Sequence, residues 1–270
     1  MAQRSLNFPR GAILKTLLTH IRSRRRARPI SSVPSDPLAA LRVQFPDISE
    51  TQLQIYDSVS ELTMTSPERV FALCHAVEYL AKNQISGDFV ECGVWRGGSM
   101  AAAAQMLVHL ADLDRTLWMY DTFQGMSEPT AVDVDLRGAA ASRLLSEQDR
   151  LDEQSIWCYS PLDQVRETMR QTGYPEEKIR FVKGKVEETL GSSKPEQIAL
   201  LRLDTDWYES TKCEMEHLFP RLVTGGVIVI DDYGHWEGCR RAVDEYLEQH
   251  GIQLFLNRID YTGRVGIKIG

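Results

Sequence analysis

The chain has no long apolar run. None of its 270 residues belongs to a stretch approaching the roughly 18 consecutive apolar residues that a membrane-spanning helix requires. The amino-terminal region also lacks the apolar core of a secretory signal. We therefore expect a protein that does not span a membrane and that resides in the cytoplasm.

Cysteine is scarce, and the spacing of the cysteines does not match a disulfide or metal-binding motif. The five cysteines are odd in number, widely spaced and without a Cys-x-x-Cys pair: Cys74, Cys92, Cys158, Cys213 and Cys239. This spacing argues against both a disulfide framework and a zinc ribbon. We expect free, buried or half-buried thiols.

The common fingerprints of phosphate-bearing nucleotides are also missing. The loop at residues 91–99 (ECGVWRGGS) carries Gly93, Gly97 and Gly98, which is not the Gly-x-Gly-x-x-Gly spacing, and no Gly-Lys-Ser/Thr follows. A P-loop is therefore excluded, and a nicotinamide-dependent oxidoreductase is disfavoured. A ribose-bearing ligand without phosphate would need fewer backbone amides and no lysine.

Acidic residues are absent from the first 30 positions. This segment carries eight basic residues, and because the whole chain has a net charge of −7, the remainder carries −15. Leu14, Leu17, Leu18 and Ile21 have helical spacing, which favours a mobile or subunit-bridging helix held on an acidic surface. Membrane-surface binding, nucleic-acid binding or an organellar transit function are the alternatives. We assign residues 1–50 to a basic arm and linker and residues 51–270 to one domain, and we expect a homodimer.

Beyond the linker, short β-rich runs alternate with helical patterns. Val70, Leu73, Val77 and Leu80 predict a helix from Pro67 to Asn83. Such alternation predicts an α/β fold whose parallel sheet is covered on both faces. Two adjacent strands at the carboxyl terminus predict an antiparallel edge hairpin. A polar insertion after the second strand, with Asp133 and Glu147, reads as a substrate-covering lid if ordered and as a surface excursion if not.

Two acidic clusters follow apolar strands directly. Asp204 and Asp206 end LLRLDTD, and Asp231 and Asp232 end GGVIVIDD. If these strands are parallel neighbours, four acids share one crevice, and such close like charges require a compensating cation or strong donors. Oxygen ligands favour Mg²⁺, Mn²⁺ or Ca²⁺. The alternative is that the acids cap helices.

A further acid, Asp121, ends the second strand 23 residues after Gly98. At that position a carboxylate can accept hydrogen bonds from both ribose hydroxyls of a nucleoside ligand. The alternative is an Asx-turn within Asp121-Thr122-Phe123.

Five segments together carry a resemblance: DFVECGVWRGGS, YDTFQGM, FVKGKVEETL, LLRLDTDWYEST and GGVIVIDDYGHWEGCRRAVDEYL. In this order they resemble the macrocin O-methyltransferase (TylF) family, whose members methylate sugar hydroxyls of natural products with S-adenosylmethionine. The resemblance extends from about Tyr56 to the carboxyl terminus and leaves out the arginine-rich arm. It implies a Rossmann-like class I methyltransferase fold with a seven-stranded, mostly parallel sheet.

The resemblance also implies roles for individual residues. It implies Mg²⁺ (or Mn²⁺) on Asp204, Asp231 and Asp232, with Asp206 as the general base. His235, beside these motifs, is expected to touch substrate or act as a second base. The residues implied to bind the cofactor are Met64, Thr65, Glu91, Gly93, Trp95, Gly97, Gly98, Ser99, Asp121, Phe123 and Gly184.

The expected activity is therefore metal-assisted methylation of a sugar hydroxyl on a glycosylated small molecule. An aliphatic hydroxyl is a poor nucleophile, so a cation and a base are both wanted. A catechol-like phenol acceptor, a nicotinamide-dependent oxidoreductase and a binding protein without turnover are the alternatives. A vicinal diol suits either acceptor class, and no nucleic-acid partner is expected.

Overall fold

The computed structural model describes residues 38–152 and 155–270. The chain divides into two compact units, Met1–Gln44 and Phe45–Gly270. The described part of the first unit contains helix α1 (Ala39–Gln44). The predicted arm helix lies outside the described residues, and the predicted boundary between residues 50 and 51 stays a prediction.

A seven-stranded sheet forms the centre of the second unit. Its strands are β1 (Asp88–Cys92), β2 (Leu117–Asp121), β3 (Ile179–Lys183), β4 (Ile198–Leu203), β5 (Leu222–Ile230), β6 (Asn257–Arg258) and β7 (Arg264–Ile267). Their spatial order is β3-β2-β1-β4-β5-β7-β6. Strands β1 to β5 are parallel, whereas β7 pairs antiparallel with both β5 and β6. The predicted parallel sheet with an antiparallel edge hairpin is thus confirmed.

Helices cover both faces of this sheet. They are α2 (Glu50–Val59), α3 (Pro67–Lys82), α4 (Gly98–His109), α5 (Ala141–Ser146), α6 (Leu162–Gln171), α7 (Val186–Thr189), α8 (Tyr208–His217) and α9 (Glu237–Gln249). One core cluster joins the sheet to α2, α3, α4 and α6. A second cluster joins it to α8 and α9. The two clusters bury the two faces of the sheet, as expected for parallel strands that are apolar on both sides.

Local sequence signals explain where individual helices begin and end. Ser66 caps α3 by accepting a hydrogen bond from the Arg69 amide at 3.3 Å, and Pro67 occupies the first turn. Helix α8 ends at His217, although Met215, Leu218 and Leu222 continue a helical apolar spacing beyond it. The reason is Pro220, which lacks an amide donor and restricts Phe219, so a short 3₁₀ turn (Phe219–Arg221) follows instead.

The strand order reverses beside β1. From β1 the chain winds outward through β2 and β3, then returns to the other side of β1 with β4 and β5. Ligands of open α/β sheets bind at the carboxyl ends of strands at such a reversal. Gly93 follows β1 and Asp204 follows β4, so the glycine loop and the first acidic cluster meet there.

The polar insertion between β2 and α6 (residues 122–161) is attached to the domain through its described part. Asp133 is fully buried, and its carboxylate accepts hydrogen bonds from the amides of Thr130 (2.6 Å) and Tyr208 (2.8 Å). Short β-bridges join Val134 to Ala140 and Asp135 to Trp236. The insertion therefore covers the carboxyl ends of the strands. No helix in the described part of the chain is long and apolar enough to cross a membrane.

Gly93 provides a test of how closely β1 and β4 must approach. Gly93 (φ 81°) and Gly138 (φ 82°) are both left-handed. A Cβ on Gly93 would lie 1.9 Å from the Asp204 carbonyl oxygen, whereas nothing lies within 4 Å of one on Gly138. We expect Gly138→Ala to cost about 1–2 kcal/mol of unfolding free energy and Gly93→Ala to cost at least about 4 kcal/mol. Urea denaturation measures the free energy of unfolding of both variants. Equal decreases would contradict the close approach of Gly93 to the Asp204 carbonyl.

Candidate active site

A cavity of about 270 Å³ lies at the carboxyl ends of the parallel strands. The glycine loop, the loop before α3 and the described part of the insertion form its walls. Gly125, Met126 and Cys158 contribute from the insertion. Most predicted site residues line it: Met64, Thr65, Gly93, Trp95, Ser99, Asp121, Gly184, Asp204, Asp206, Asp231, Asp232 and His235.

Four predicted cofactor contacts lie behind the cavity wall instead. Glu91 is buried within β1. Gly97 is the left-handed cap of α4, and Gly98 packs so tightly that a Cβ would lie 2.4 Å from the Leu62 carbonyl oxygen. Phe123 is buried in the core beside Phe181, with ring centroids 6.4 Å apart. These residues shape the wall, and their direct contact with a cofactor stays a prediction.

Asp121 ties the second strand to the glycine loop. One carboxylate oxygen accepts hydrogen bonds from the amides of Val94 (2.7 Å) and Trp95 (3.1 Å). The other accepts from the Phe123 amide at 2.6 Å, which is the Asx-turn alternative. Burial raises the pKa of Asp121, and these amide bonds oppose the rise. Contact with a ribose stays a prediction for this residue.

Arg202 is the centre of the charge network and is the residue that sequence reasoning missed. It lies in β4, almost fully buried. Its guanidinium donates to Glu91 (2.7 Å), Asp204 (2.7 Å) and Asp231 (2.6 Å). It also reaches Thr65 Oγ1 at 3.0 Å. The signal was present in LLRL, because a charged residue inside a buried apolar strand requires buried partners.

A second arginine, also missed, approaches from α3. Arg69 forms ion pairs with Asp231 and, at 3.0 Å, with Asp260. Asp231 is therefore bound by two guanidinium groups. Nothing in the apolar face of α3 indicated this position from the sequence, because its partners are more than 150 residues away.

Three acids lie close enough to share a cation. One carboxylate oxygen from each of Asp204, Asp206 and Asp232 lies within 4.8 Å of the others. This trio differs in one member from the predicted set, because Asp206 takes part and Asp231 instead binds the two arginines. The predicted metal role of Asp231 stays a prediction, and the geometry adds Asp206 as a donor.

The charges around this trio do not balance. Five carboxyl groups (Glu91, Asp204, Asp206, Asp231 and Asp232) meet the guanidinium groups of Arg69 and Arg202. Desolvation raises the pKa of Asp206 to about 7 and that of Glu91 to about 8. It also raises the pKa values of Asp204 and Asp232 well above their usual range. Without a cation, protons must neutralise the excess.

The donor set fits a hard divalent cation. Its three members offer carboxylate oxygens alone, which Mg²⁺ and Mn²⁺ prefer. Asp232 Oδ2 is buried and has no hydrogen-bond partner in the described part of the chain. An orphaned anionic oxygen of this kind is costly unless something binds it.

His235 lies at the mouth of the cavity. Its Nδ1 is 3.4 Å from the Tyr261 hydroxyl, and its ring meets Trp236 edge to face at 4.8 Å. Burial lowers the pKa of His235 from its usual value, so the neutral imidazole prevails at neutral pH. A neutral imidazole can accept a proton or a hydrogen bond, and the predicted role of His235 stays a prediction.

Known proteins share this sequence pattern and fold. Residues 43–265 match the family described as macrocin-O-methyltransferase (TylF). A tetracenomycin-C 4'-O-methyltransferase of Streptomyces olivaceus, named for an 8-demethyl-8-(2,3-dimethoxy-alpha-L-rhamnosyl) substrate, is 36% identical over 74% of this chain and 73% of its own. Mycinamicin III 3''-O-methyltransferase of Micromonospora griseorubida is 34% identical over 74% of this chain and 76% of its own.

A solved structure agrees with these relatives. The O-methyltransferase NovP superposes with a TM-score of 0.67 at 32% identity, over 77% of this chain and 83% of its own. The calicheamicin methyltransferase CalS11 shares the fold with a TM-score of 0.56 at 17% identity, over 81% of this chain and 91% of its own.

The arginine network predicts a large stability difference between substitutions of two arginines in the same sheet, Arg202 on β4 and Arg180 on β3. Arg202→Met leaves Glu91 and Asp204 without a buried cation, and we expect it to lower the free energy of unfolding by about 3–5 kcal/mol. Arg180 on β3 is exposed and donates to backbone carbonyls, so Arg180→Met should change it by less than about 1 kcal/mol. Urea denaturation at pH 7 compares the two variants. Similar values for both would show that Arg202 does not neutralise the acids.

Proposed function

Since the chain belongs to the macrocin O-methyltransferase (TylF) family and is an S-adenosylmethionine-dependent O-methyltransferase, we propose that it methylates a sugar hydroxyl of a glycosylated small molecule with a bound divalent cation. The observation that carries the proposal is the trio Asp204, Asp206 and Asp232 on the floor of the cavity. Mg²⁺ or Mn²⁺ there would supply positive charge that lowers the pKa of the acceptor hydroxyl.

Asp206 is the base of the proposed reaction. Its carboxylate lines the cavity, where it can accept a proton from a hydroxyl bound beside it. The acceptor hydroxyl gives its proton to Asp206 and forms a bond to the methyl carbon of the cofactor. When bound, S-adenosylmethionine would supply the methyl group, and breaking of its methyl carbon–sulfur bond would give a methyl ether and S-adenosylhomocysteine.

The remaining residues position and shield the reactants. Asp121 holds the glycine loop through the amides of Val94 and Trp95, and Thr65 is held by Arg202. The insertion closes one side of the cavity with Met126 and Cys158. Exclusion of water strengthens each electrostatic contact inside.

The rim of the cavity suits the apolar part of a glycoside. Met64 is 49% exposed and Tyr261 is 59% exposed, and both line the cavity. Exposed apolar groups at the mouth with carboxylates at the floor match a ligand with a polar sugar and an apolar aglycone. The name of the Streptomyces olivaceus relative also describes an acceptor that carries a rhamnosyl group.

The assembly proposed for this protein is a homodimer in which the basic arm of residues 1–50 contacts an acidic surface. Sedimentation velocity of the full chain tests it. We expect a dimer at low ionic strength that weakens with added salt, because salt screens contacts between exposed charges. A monomer under all conditions would remove this part of the proposal.

Asp206→Asn tests the base. We expect a loss in kcat of about 10²–10⁴, with affinity for S-adenosylhomocysteine changed by less than about threefold. Steady-state kinetics and calorimetry measure the two quantities. Asp114→Asn, at an exposed site beyond α4, serves as the matched control. Near wild-type kcat for Asp206→Asn would refute the assignment.

A metal and acceptor screen tests the rest of the proposal. Transfer of labelled methyl from S-adenosylmethionine should be lost in EDTA and restored by Mg²⁺ or Mn²⁺, because the trio needs a cation for ionisation of all three acids. Glycosides with vicinal hydroxyls and simple catechols are offered in parallel. Transfer to catechols alone would favour the phenol alternative, and full activity in EDTA would refute metal dependence.

A further inference from the structure

The backbone at Asp206 is held in an uncommon conformation. Its φ is 67°, and the Trp207 amide donates to the Thr205 carbonyl at 2.7 Å, which closes a three-residue turn with Asp206 at its centre. A left-handed conformation is unfavourable for any residue other than glycine, because Cβ approaches the following carbonyl oxygen. Turns of this kind persist where the surrounding contacts hold them and where the resulting direction of a side chain matters.

Glu214 holds the amino side of this turn. The Thr205 hydroxyl donates to Glu214 Oε1 at 2.9 Å, and the Ser210 hydroxyl donates to the Thr205 carbonyl at 3.3 Å. Glu214 lies in α8 and has no exposed surface. Its contact with Thr205 therefore fixes the turn directly to the helix that follows it.

The burial of Glu214 is hard to explain by stability alone. Its carboxyl group also meets the Cys92 thiol, which is only a weak donor, and its Oε2 has no N–H or O–H partner in the part of the chain that the structure describes. Burying a polar group that is only partly satisfied destabilises the folded state, whereas leucine would fill similar space without that cost. A carboxyl group retained there points to a task that an apolar side chain cannot perform.

The carboxyl side of the turn is held by the insertion. Trp207 is buried, and its indole Nε1 donates to the Ser127 carbonyl at 3.0 Å. The Tyr208 amide donates to Asp133 at 2.8 Å. Asp206 is thus fixed between two anchors, one on α8 and one on the insertion.

We infer that Glu214 and Thr205 are positioning residues for methyl transfer: their hydrogen bond holds the left-handed turn that directs the Asp206 carboxylate toward Asp204, Asp232 and the acceptor. The inference rests on the proposed role of Asp206 as base and cation donor. Neither Glu214 nor the Thr205 hydroxyl takes part in the bond changes of the reaction.

Paired substitutions on both sides of the hydrogen bond test this inference. Thr205→Val and Glu214→Leu each remove it with little change in volume, whereas Thr205→Ser and Glu214→Gln keep a donor or an acceptor. We expect Thr205→Val and Glu214→Leu to lower kcat at least about tenfold, because a small displacement of a reacting group greatly reduces the rate of the chemical step. KM values for cofactor and acceptor should change by less than about threefold. The Ser and Gln variants should recover most of kcat.

Metal affinity provides a readout that does not depend on turnover. Mn²⁺ alone is titrated into each metal-free variant and followed by calorimetry. We expect Thr205→Val and Glu214→Leu to bind Mn²⁺ at least about tenfold more weakly and the conservative variants to match the wild type. The double variant should lose no more than either single variant, because both act through one hydrogen bond.

Several outcomes would overturn the inference. If Thr205→Val keeps the wild-type kcat and Mn²⁺ affinity, the hydrogen bond between Thr205 and Glu214 only contributes to the packing of α8. The same conclusion follows if Thr205→Ser loses as much kcat and Mn²⁺ affinity as Thr205→Val. If Glu214→Leu does not fold, the two Thr205 variants decide alone. Failure of the proposed function is distinguished by a different result. In that case Asp206→Asn, or the wild-type enzyme in EDTA, would keep full activity while Thr205 and Glu214 are unchanged.

Discussion

The structure depends on how an excess of buried carboxylates is balanced at the carboxyl edge of the sheet. Arg202 and Arg69 neutralise part of it, and Arg202 does so from inside a parallel strand, one residue before its carboxyl end. Replacing such a network with apolar residues commonly leaves a protein as stable or more stable. Its presence here is therefore better explained by the proposed chemistry than by folding, since the proposed cation site requires negative charge that the arginines leave uncompensated.

The sheet topology makes this accumulation of charge unavoidable. Strands β4 and β5 are parallel neighbours, and their last residues, Leu203 and Ile230, are register partners. The residues that follow both strands therefore lie at the same edge of the sheet. Gly93 then lets the loop after β1 approach Asp204 closely. The reversal of strand order opens a crevice at that place. The glycine loop and the acidic floor are thus brought together by the backbone, before any side-chain contact is considered.

Much of this was accessible from sequence, for identifiable reasons. Alternating apolar runs gave the order of strands and helices, and Asp204, Asp206 and Asp232 were placed in one crevice because they follow strands directly. Arg69 and Glu214 were not accessible. Each lies on a helix whose pattern reads as surface or core, and its partners are set by tertiary packing rather than by local sequence. Glu91 and Phe123 lie behind the lining of the cavity, and their contact with a cofactor stays a prediction, since a motif indicates a neighbourhood and not the direction of a side chain.

The insertion shows how cover and catalysis are connected. Asp133 caps α8 through the Tyr208 amide, and Ser127 accepts a hydrogen bond from Trp207, so the segment that closes the cavity is fixed to the turn that carries Asp206. A shift of the insertion would move the proposed base as well as admit water. Because charge neutralisation in the trio also depends on exclusion of water, closure and ionisation of the acids are expected to change together. The strained φ of Asp206 is compatible with this arrangement only while both anchors are in place.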